Sequence, residues 1–132
     1  MKEYSFIKPD YTLQSNLMAF GYECLEGWYP IIEEAFDKIE KAIEKMPKKE
    51  KKIFKKSFEI LQVKEKLGGL RIYLNMYTDE ITEIIKEAEK KALKTCELCG
   101  KPGKMHELRG WYSTNCDTCF DKRKQEHIII KE

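Results

Sequence analysis

The spacing of apolar positions along this chain changes several times, and each change predicts an element. From Trp28 the pattern recurs at three-and-four spacing through Ile31, Ile32, Ala35, Phe36, Ile39, Ala42, Ile43 and Met46. That period predicts an amphipathic helix over about 28–46, with Pro30 tolerated in its first turn. Pro47 ends it, because proline disfavours helical backbone in the residue before it. The stretch KKEKKIFKK that follows reads as a solvated linker or a short helix held down by Ile53 and Phe54. At Phe58 the period becomes two, and FEILQVKEKLGGLRIYLNMY predicts a β-hairpin over about 58–77 turning at Gly68-Gly69. With that turn, residues whose numbers sum to 137 face each other. One face then carries Leu61, Val63, Glu65 and Leu67 against Met76, Leu74, Ile72 and Leu70, a core face broken only by the carboxylate. The opposite face carries Ile60, Gln62, Lys64 and Lys66 against Tyr77, Asn75, Tyr73 and Arg71. After a cap at Thr78 or Asp79 the helical period returns in Ile81, Ile84, Ile85, Ala88, Ala92 and Leu93, predicting a second helix over about 79–95. Residues 1–26 show no period, only scattered Tyr4, Phe6, Tyr11, Phe20 and Tyr22 with Gly21 and Gly27 as punctuation.

These elements define an α+β body over 1–95, a β-hairpin packed with two amphipathic helices, followed by a cysteine-bearing module over 96–132. A length of 132 residues suits one such body with a small satellite and excludes a large multidomain enzyme. No apolar run reaches the ~18 residues of a membrane span, and the first ten residues lack the features of a signal peptide, so a cytoplasmic protein is expected. The net charge of +2 conceals an uneven distribution. Residues 1–44 hold 4 basic and 9 acidic groups, whereas 45–56 hold 7 and 1. That basic knot can attract polyanions, although such runs are commonly just solvated.

The strongest chemical signal is Cys96-x-x-Cys99 with Cys116-x-x-Cys119, the pairs separated by 16 residues. Tetrahedral zinc needs four soft ligands at about 2.3 Å, and each pair supplies two by folding tightly on itself. Four thiolates leave no open coordination position, so Zn2+ here is expected to be structural. Its binding energy replaces the apolar core that so short a segment cannot build. Between the pairs, Met105 to Thr114 predict a short hairpin turning at Arg109-Gly110, with Leu108 and Trp111 as packing residues. The sequence after Cys116 reads as helical, which favours a treble clef over an all-strand zinc ribbon. Cys24, the unpaired cysteine, reads as a small buried hydrophobe without a base nearby. His106 is at most a spare ligand, and His127 beside Ile128–Ile130 reads as packed or solvated.

The candidate ligand surface is the polar hairpin face. Lys64, Lys66, Arg71 and Tyr73 project together there, and amines, a guanidinium fork and a phenol ring suit a phosphate-bearing ligand, either a nucleotide or nucleic acid. A pI near 8.2 argues against an extended nucleic-acid groove. Trp28 is either a stacking residue of that site or the first core residue of its helix. Glu65, among leucines and an isoleucine, needs a partner: a lysine, Arg71, or the Trp28 indole N–H. A protein-binding adaptor or inhibitor of a host factor is the alternative, and the same face can instead pair in a homo-oligomer.

Two resemblances add context. CELCGKPG and NCDTCFDKRK resemble the zinc-bearing edges of HNH-type nucleases. Those enzymes set an Asp-His pair between the cysteines, whereas this chain has Met105 before His106, with Asn115 as the other candidate. More of the chain is similar to a group of small phage- and prophage-encoded proteins of uncharacterised function. The motifs that carry this are GYECLEGW, then VKEKLGGLRIY, then the two Cys-x-x-Cys pairs, over about residues 21–119. The resemblance implies an accessory protein acting in the cytoplasm of an infected bacterium, in a context of defence and counter-defence, and no assigned chemistry.

Overall fold

Helical period and alternation both find their elements, and the aperiodic N-terminal stretch completes the core. The computed structural model describes residues 3–131, with side chains as far as Glu126. His127 and the side chains after it lie outside the described residues. The fold is α+β. In chain order it comprises β1 (Tyr22–Glu23), α1 (Tyr29–Glu44), α2 (Lys48–Ser57), β2 (Ile60–Lys66), β3 (Gly69–Leu74), α3 (Asp79–Ala92), β4 (Lys104–Leu108), β5 (Trp111–Asn115) and α4 (Asp117–Lys131). Strands β1, β2 and β3 form one sheet in that order, and β4 with β5 forms the other.

Helix α1 buries Ile31, Ile32, Ala35, Phe36, Ile39, Ala42 and Ile43, the stripe its period predicts, and Pro30 lies in its first turn. The lysine-rich stretch is helical as α2, where Phe54 is buried but Ile53 is not. Lys51 and Lys55 reach back to Glu44 at 3.3 and 2.7 Å, so part of the basic knot is neutralised locally. Thr78 caps α3 by accepting a hydrogen bond from the Ile81 amide, and α3 packs on α1 and β3. From α3, the Glu89 carboxylate accepts the Ile72 amide of β3 at 3.2 Å, which satisfies a donor on the edge strand.

The hairpin of β2 and β3 keeps the predicted faces but not the predicted turn. Its register pairs Val63 with Ile72, Lys64 with Arg71, Glu65 with Leu70 and Lys66 with Gly69. The turn is therefore Leu67-Gly68, both at positive φ (53° and 82°), as a type I′ turn requires. Because the shift moves each strand by an equal step, odd-numbered residues of β2 still face even-numbered ones of β3. A bulge between Ile60 and Gln62 then changes the far end. Ile60 pairs with Leu74 and is fully buried, whereas the alternation placed it on the polar face with Tyr77. The extra residue, Leu61, turns its carbonyl to the Leu17 amide at 2.8 Å.

The N-terminal segment supplies aromatic filling that no period could announce. Phe6 stacks on Tyr4 and meets Phe36 and Phe58 at centroid distances of 5.4 and 5.5 Å. Its carbonyl accepts the Ile60 amide. Trp28 is fully buried, and its indole N–H donates to the Thr95 carbonyl at 2.9 Å. It has no face left for stacking on a ligand, so of its two expected roles it takes the core one.

Two glycines are constrained for different reasons. Gly27 has no room: a Cβ there would overlap the Cys96 and Glu97 carbonyls. Gly21 has room, but its backbone at φ 69° and ψ −148° is open only to glycine. Gly27→Ala and Gly21→Ala are each expected to cost about 1–3 kcal/mol in urea unfolding. Only Gly27→Ala should also speed metal loss to a chelator, since only it displaces the cysteine loop.

Candidate metal centre and ligand-binding faces

The first cysteine pair leaves α3 on a tight loop. Cys96 N donates to the Lys101 carbonyl at 2.7 Å, Gly100 N returns to the Cys96 carbonyl at 2.9 Å, and Gly100 takes the left-handed backbone at φ 82°. The second pair straddles the start of α4, and Cys119 N donates to Cys116 Sγ at 3.5 Å. The β4–β5 hairpin between them turns at Arg109-Gly110, as the sequence predicts. Trp111, expected as a packing residue, is instead 74% exposed.

The sulfurs of Cys96, Cys99, Cys116 and Cys119 lie within 4.8 Å of one another. Cys99 Sγ and Cys116 Sγ are 3.7 Å apart. A disulfide requires about 2.05 Å, whereas the edge of a tetrahedron with bonds of about 2.3 Å is about 3.8 Å. The group thus has metal-binding geometry. Electrostatics point the same way. Burial opposes ionisation of Cys96, but the amides of Cys99 and Cys116, the Asn115 side chain and the Leu98 amide together overcome it and lower the thiol to about 6. Cys119 is raised to about 12, by burial first and then by its neighbouring thiols. A first thiolate makes the next one costlier, so a full set of four thiolates needs a cation among them.

Asn115, named from the sequence as a candidate of the HNH-type comparison, lies instead against the sulfur cluster. Its Nδ2 donates to Cys96 Sγ at 3.6 Å, and its Oδ1 accepts from Arg123 Nη1 at 3.1 Å. Its side chain is thereby committed to the sulfur centre. His106 stands outside the four-sulfur group, with Nε2 3.2 Å from the Asn115 carbonyl and its ring stacked on Phe120 at 3.9 Å. Cys24 is half-buried, and burial first, with the carboxylates of Glu97 and Glu65, pushes its thiol up to about 12, which keeps it protonated and unreactive.

The hairpin face separates the other expected ligand residues. Lys64 and Tyr73 line one groove of about 360 Å³ with the loop Leu13–Leu17, Leu61 and Gln62. That loop is held by Asp10, whose carboxylate accepts from Thr12 and Ser15 and is thereby held far below the usual carboxylate range. Arg71 and Lys66 do not line the groove. The Arg71 guanidinium turns back to the Leu70 carbonyl at 3.0 Å, and Lys66 sits at the turn opposite Gly69. Glu23 lies beside Lys64 on β1 and accepts the Gln62 amide at 2.9 Å, which tempers the positive charge of this face. Among the described residues Glu65 has none of the three expected partners; it accepts the Gly68 amide at 2.6 Å and so caps its own turn. The groove's loop wall had one sequence signal, the Asp10-x-Thr12-x-x-Ser15 pattern of an Asx turn.

No family model, curated protein or solved structure matches this chain. Among the described residues, no helix is long and apolar enough to cross a membrane.

Asn115→Ala should weaken metal retention by about 10–100-fold in chelator competition, the effect typical of a lost outer-shell partner. His106→Ala should leave retention unchanged.

Proposed function

We propose that this protein is a non-enzymatic accessory protein with a structural zinc, and that the groove beside Lys64 and Tyr73 takes a small phosphate-bearing ligand such as a nucleotide. Four thiolates are the donor set that selects zinc among common divalent ions when no redox cluster is assembled. The order of cysteine loop, hairpin and helix, with the second pair at the helix start, supports a treble clef. Four sulfurs close the coordination sphere, so the metal acts through folding and not through a bound water.

The observation that carries the ligand reading is the shared groove. Lys64 supplies a cation and Tyr73 a partly exposed ring, while Leu13, Leu17 and Leu61 give the groove apolar surface. Its size, about 360 Å³, falls in the small-molecule range of about 300–1,000 Å³. Glu23, paired with Lys64 on the neighbouring strand and bonded to Gln62, disfavours a long polyanion, which makes a nucleotide a better fit than nucleic acid. Combined with the resemblance to phage-encoded proteins, this favours a nucleotide signal of bacterial defence as the ligand. The engagement of His106 and Asn115 within the sulfur module supports the non-enzymatic side of the reading over a nuclease.

Elemental analysis should find zinc in stoichiometric amount, and a folded metal-free protein would overturn the centre. In thermal-shift assays, a nucleotide at about 100 times its Kd should add about 2.7 kcal/mol of stability. Lys64→Ala should abolish that shift, Tyr73→Ala should remove about 1–3 kcal/mol of binding, and Arg71→Ala should have a lesser effect. Flat responses to cyclic and linear nucleotides alike would refute the reading.

A further inference from the structure

A second concavity, of about 780 Å³, opens where the tips of both hairpins meet the cysteine loop. Its rim is apolar and unusually bare. Trp111, Leu67, Tyr112, Leu25 and Leu98 all line it and all are exposed. Its charge is acidic: Glu65, Glu97 and Glu126 line it against one cation, Arg123, which donates through Nη1 to Asn115 and whose charge also acts on Glu97, leaving the lining net negative. Glu97 is nine-tenths buried. Its Oε2 accepts the Leu25 amide at 3.0 Å, and Glu65 Oε2 accepts the Gly68 amide. Each carboxylate is therefore fixed through one oxygen, and the described hydrogen bonds leave the other, Oε1, without a protein donor.

We propose that this cleft is a docking site for a partner polypeptide that inserts an arginine side chain, its guanidinium between Glu65 and Glu97 and its flanking apolar residues on Trp111 and Leu67. Charge complementarity chooses the occupant. A phosphate-bearing ligand meets three carboxylates here, whereas a guanidinium can pair with fixed carboxylate oxygens and stack on an exposed indole. Exposed Trp and Tyr around buried polar groups are also the composition of interface hot spots. An apolar rim of this kind is costly to leave in water unless something covers it. Glu97 and Glu65 are pre-positioned by backbone amides, so the partner does not have to order them.

The test is selection of a random-peptide display library on the zinc-loaded chain of residues 1–132. Enriched peptides should carry an arginine beside apolar residues, and a synthetic copy with citrulline in place of arginine should bind about tenfold more weakly or worse. Glu65→Gln and Glu97→Gln retain an accepting oxygen for the backbone amides and remove the charge, so each should cost about tenfold in binding with unchanged zinc content. Trp111→Ala, at an exposed hairpin tip, should abolish enrichment. Peptides lacking a basic residue, or enrichment that survives Trp111→Ala, would overturn the proposal. So would a dimer in sedimentation that Trp111→Ala dissolves, because a second copy would then occupy the cleft. Lys64→Ala, which disables the nucleotide groove, should leave peptide binding intact, so the two sites fail or stand separately.

Discussion

The structure hangs on a contact between backbones: the start of α1 pressed against the cysteine loop. Gly27 N donates to the Glu97 carbonyl at 2.7 Å, the Trp28 indole to the Thr95 carbonyl, and Glu97 returns a carboxylate oxygen to the Leu25 amide. Only glycine permits this approach, and Trp28 fills the core while its indole N–H and the Thr95 carbonyl satisfy each other. A second contact closes the arrangement, since Thr114 Oγ1 of β5 donates to the Gly68 carbonyl at 2.7 Å, and a Cβ on Gly68 would meet the Met105 sulfur and the Ser113 amide nitrogen of the same hairpin. The four-sulfur loop and the core are thereby coupled. A cation that fixes the four sulfurs also fixes the carbonyls on which Gly27 and Trp28 depend.

The sequence was most legible where a period repeats. The stripes of α1 and α3 and both faces of the β2–β3 hairpin follow from spacing, and the sulfur cluster follows from the cysteine pairs alone. The hairpin turn was misplaced because Gly68-Gly69 is the obvious type I′ pair, whereas Leu67 accepts the left-handed conformation and Gly69 begins the strand. The error left the faces intact since side-chain parity survives an equal shift of both strands. The bulge at Leu61 did not leave the end of the hairpin intact, and nothing in FEILQ distinguishes a bulged strand from a straight one. The partners of Trp28 and Glu97 are about 70 residues away in sequence, so no local rule could name them.

The three separated motifs gain a common explanation in space. Gly21, Gly27 and Trp28 shape the entry to α1, Glu65 and Gly68 make the hairpin tip, and the cysteine pairs hold the loop and hairpin that press on both. Many of their residues are thus used up in building one junction. Arg71 belongs to this group, because it folds back on its own strand beside Gly69. The two proposed recognition surfaces therefore draw on a smaller set than the motifs suggest, namely Lys64 and Tyr73 on one side and, on the other, the bare rim around Trp111 with the remaining carboxylate oxygens of Glu65 and Glu97.

Strand β2 supplies both of these surfaces with opposite charges. Consecutive side chains leave a strand on opposite faces, so Lys64 enters the groove walled by residues 13–17 while Glu65 enters the cleft beneath Trp111. The register that separates them is set by the Leu67-Gly68 turn, which Glu65 caps through the Gly68 amide and Thr114 holds through the Gly68 carbonyl. A slip of one residue on β2 would send the cation to the acidic cleft and the carboxylate to the groove, reversing both surfaces at once. The cysteine module therefore does more than stabilise its own segment: by gripping the hairpin tip it fixes which charge each face of β2 presents.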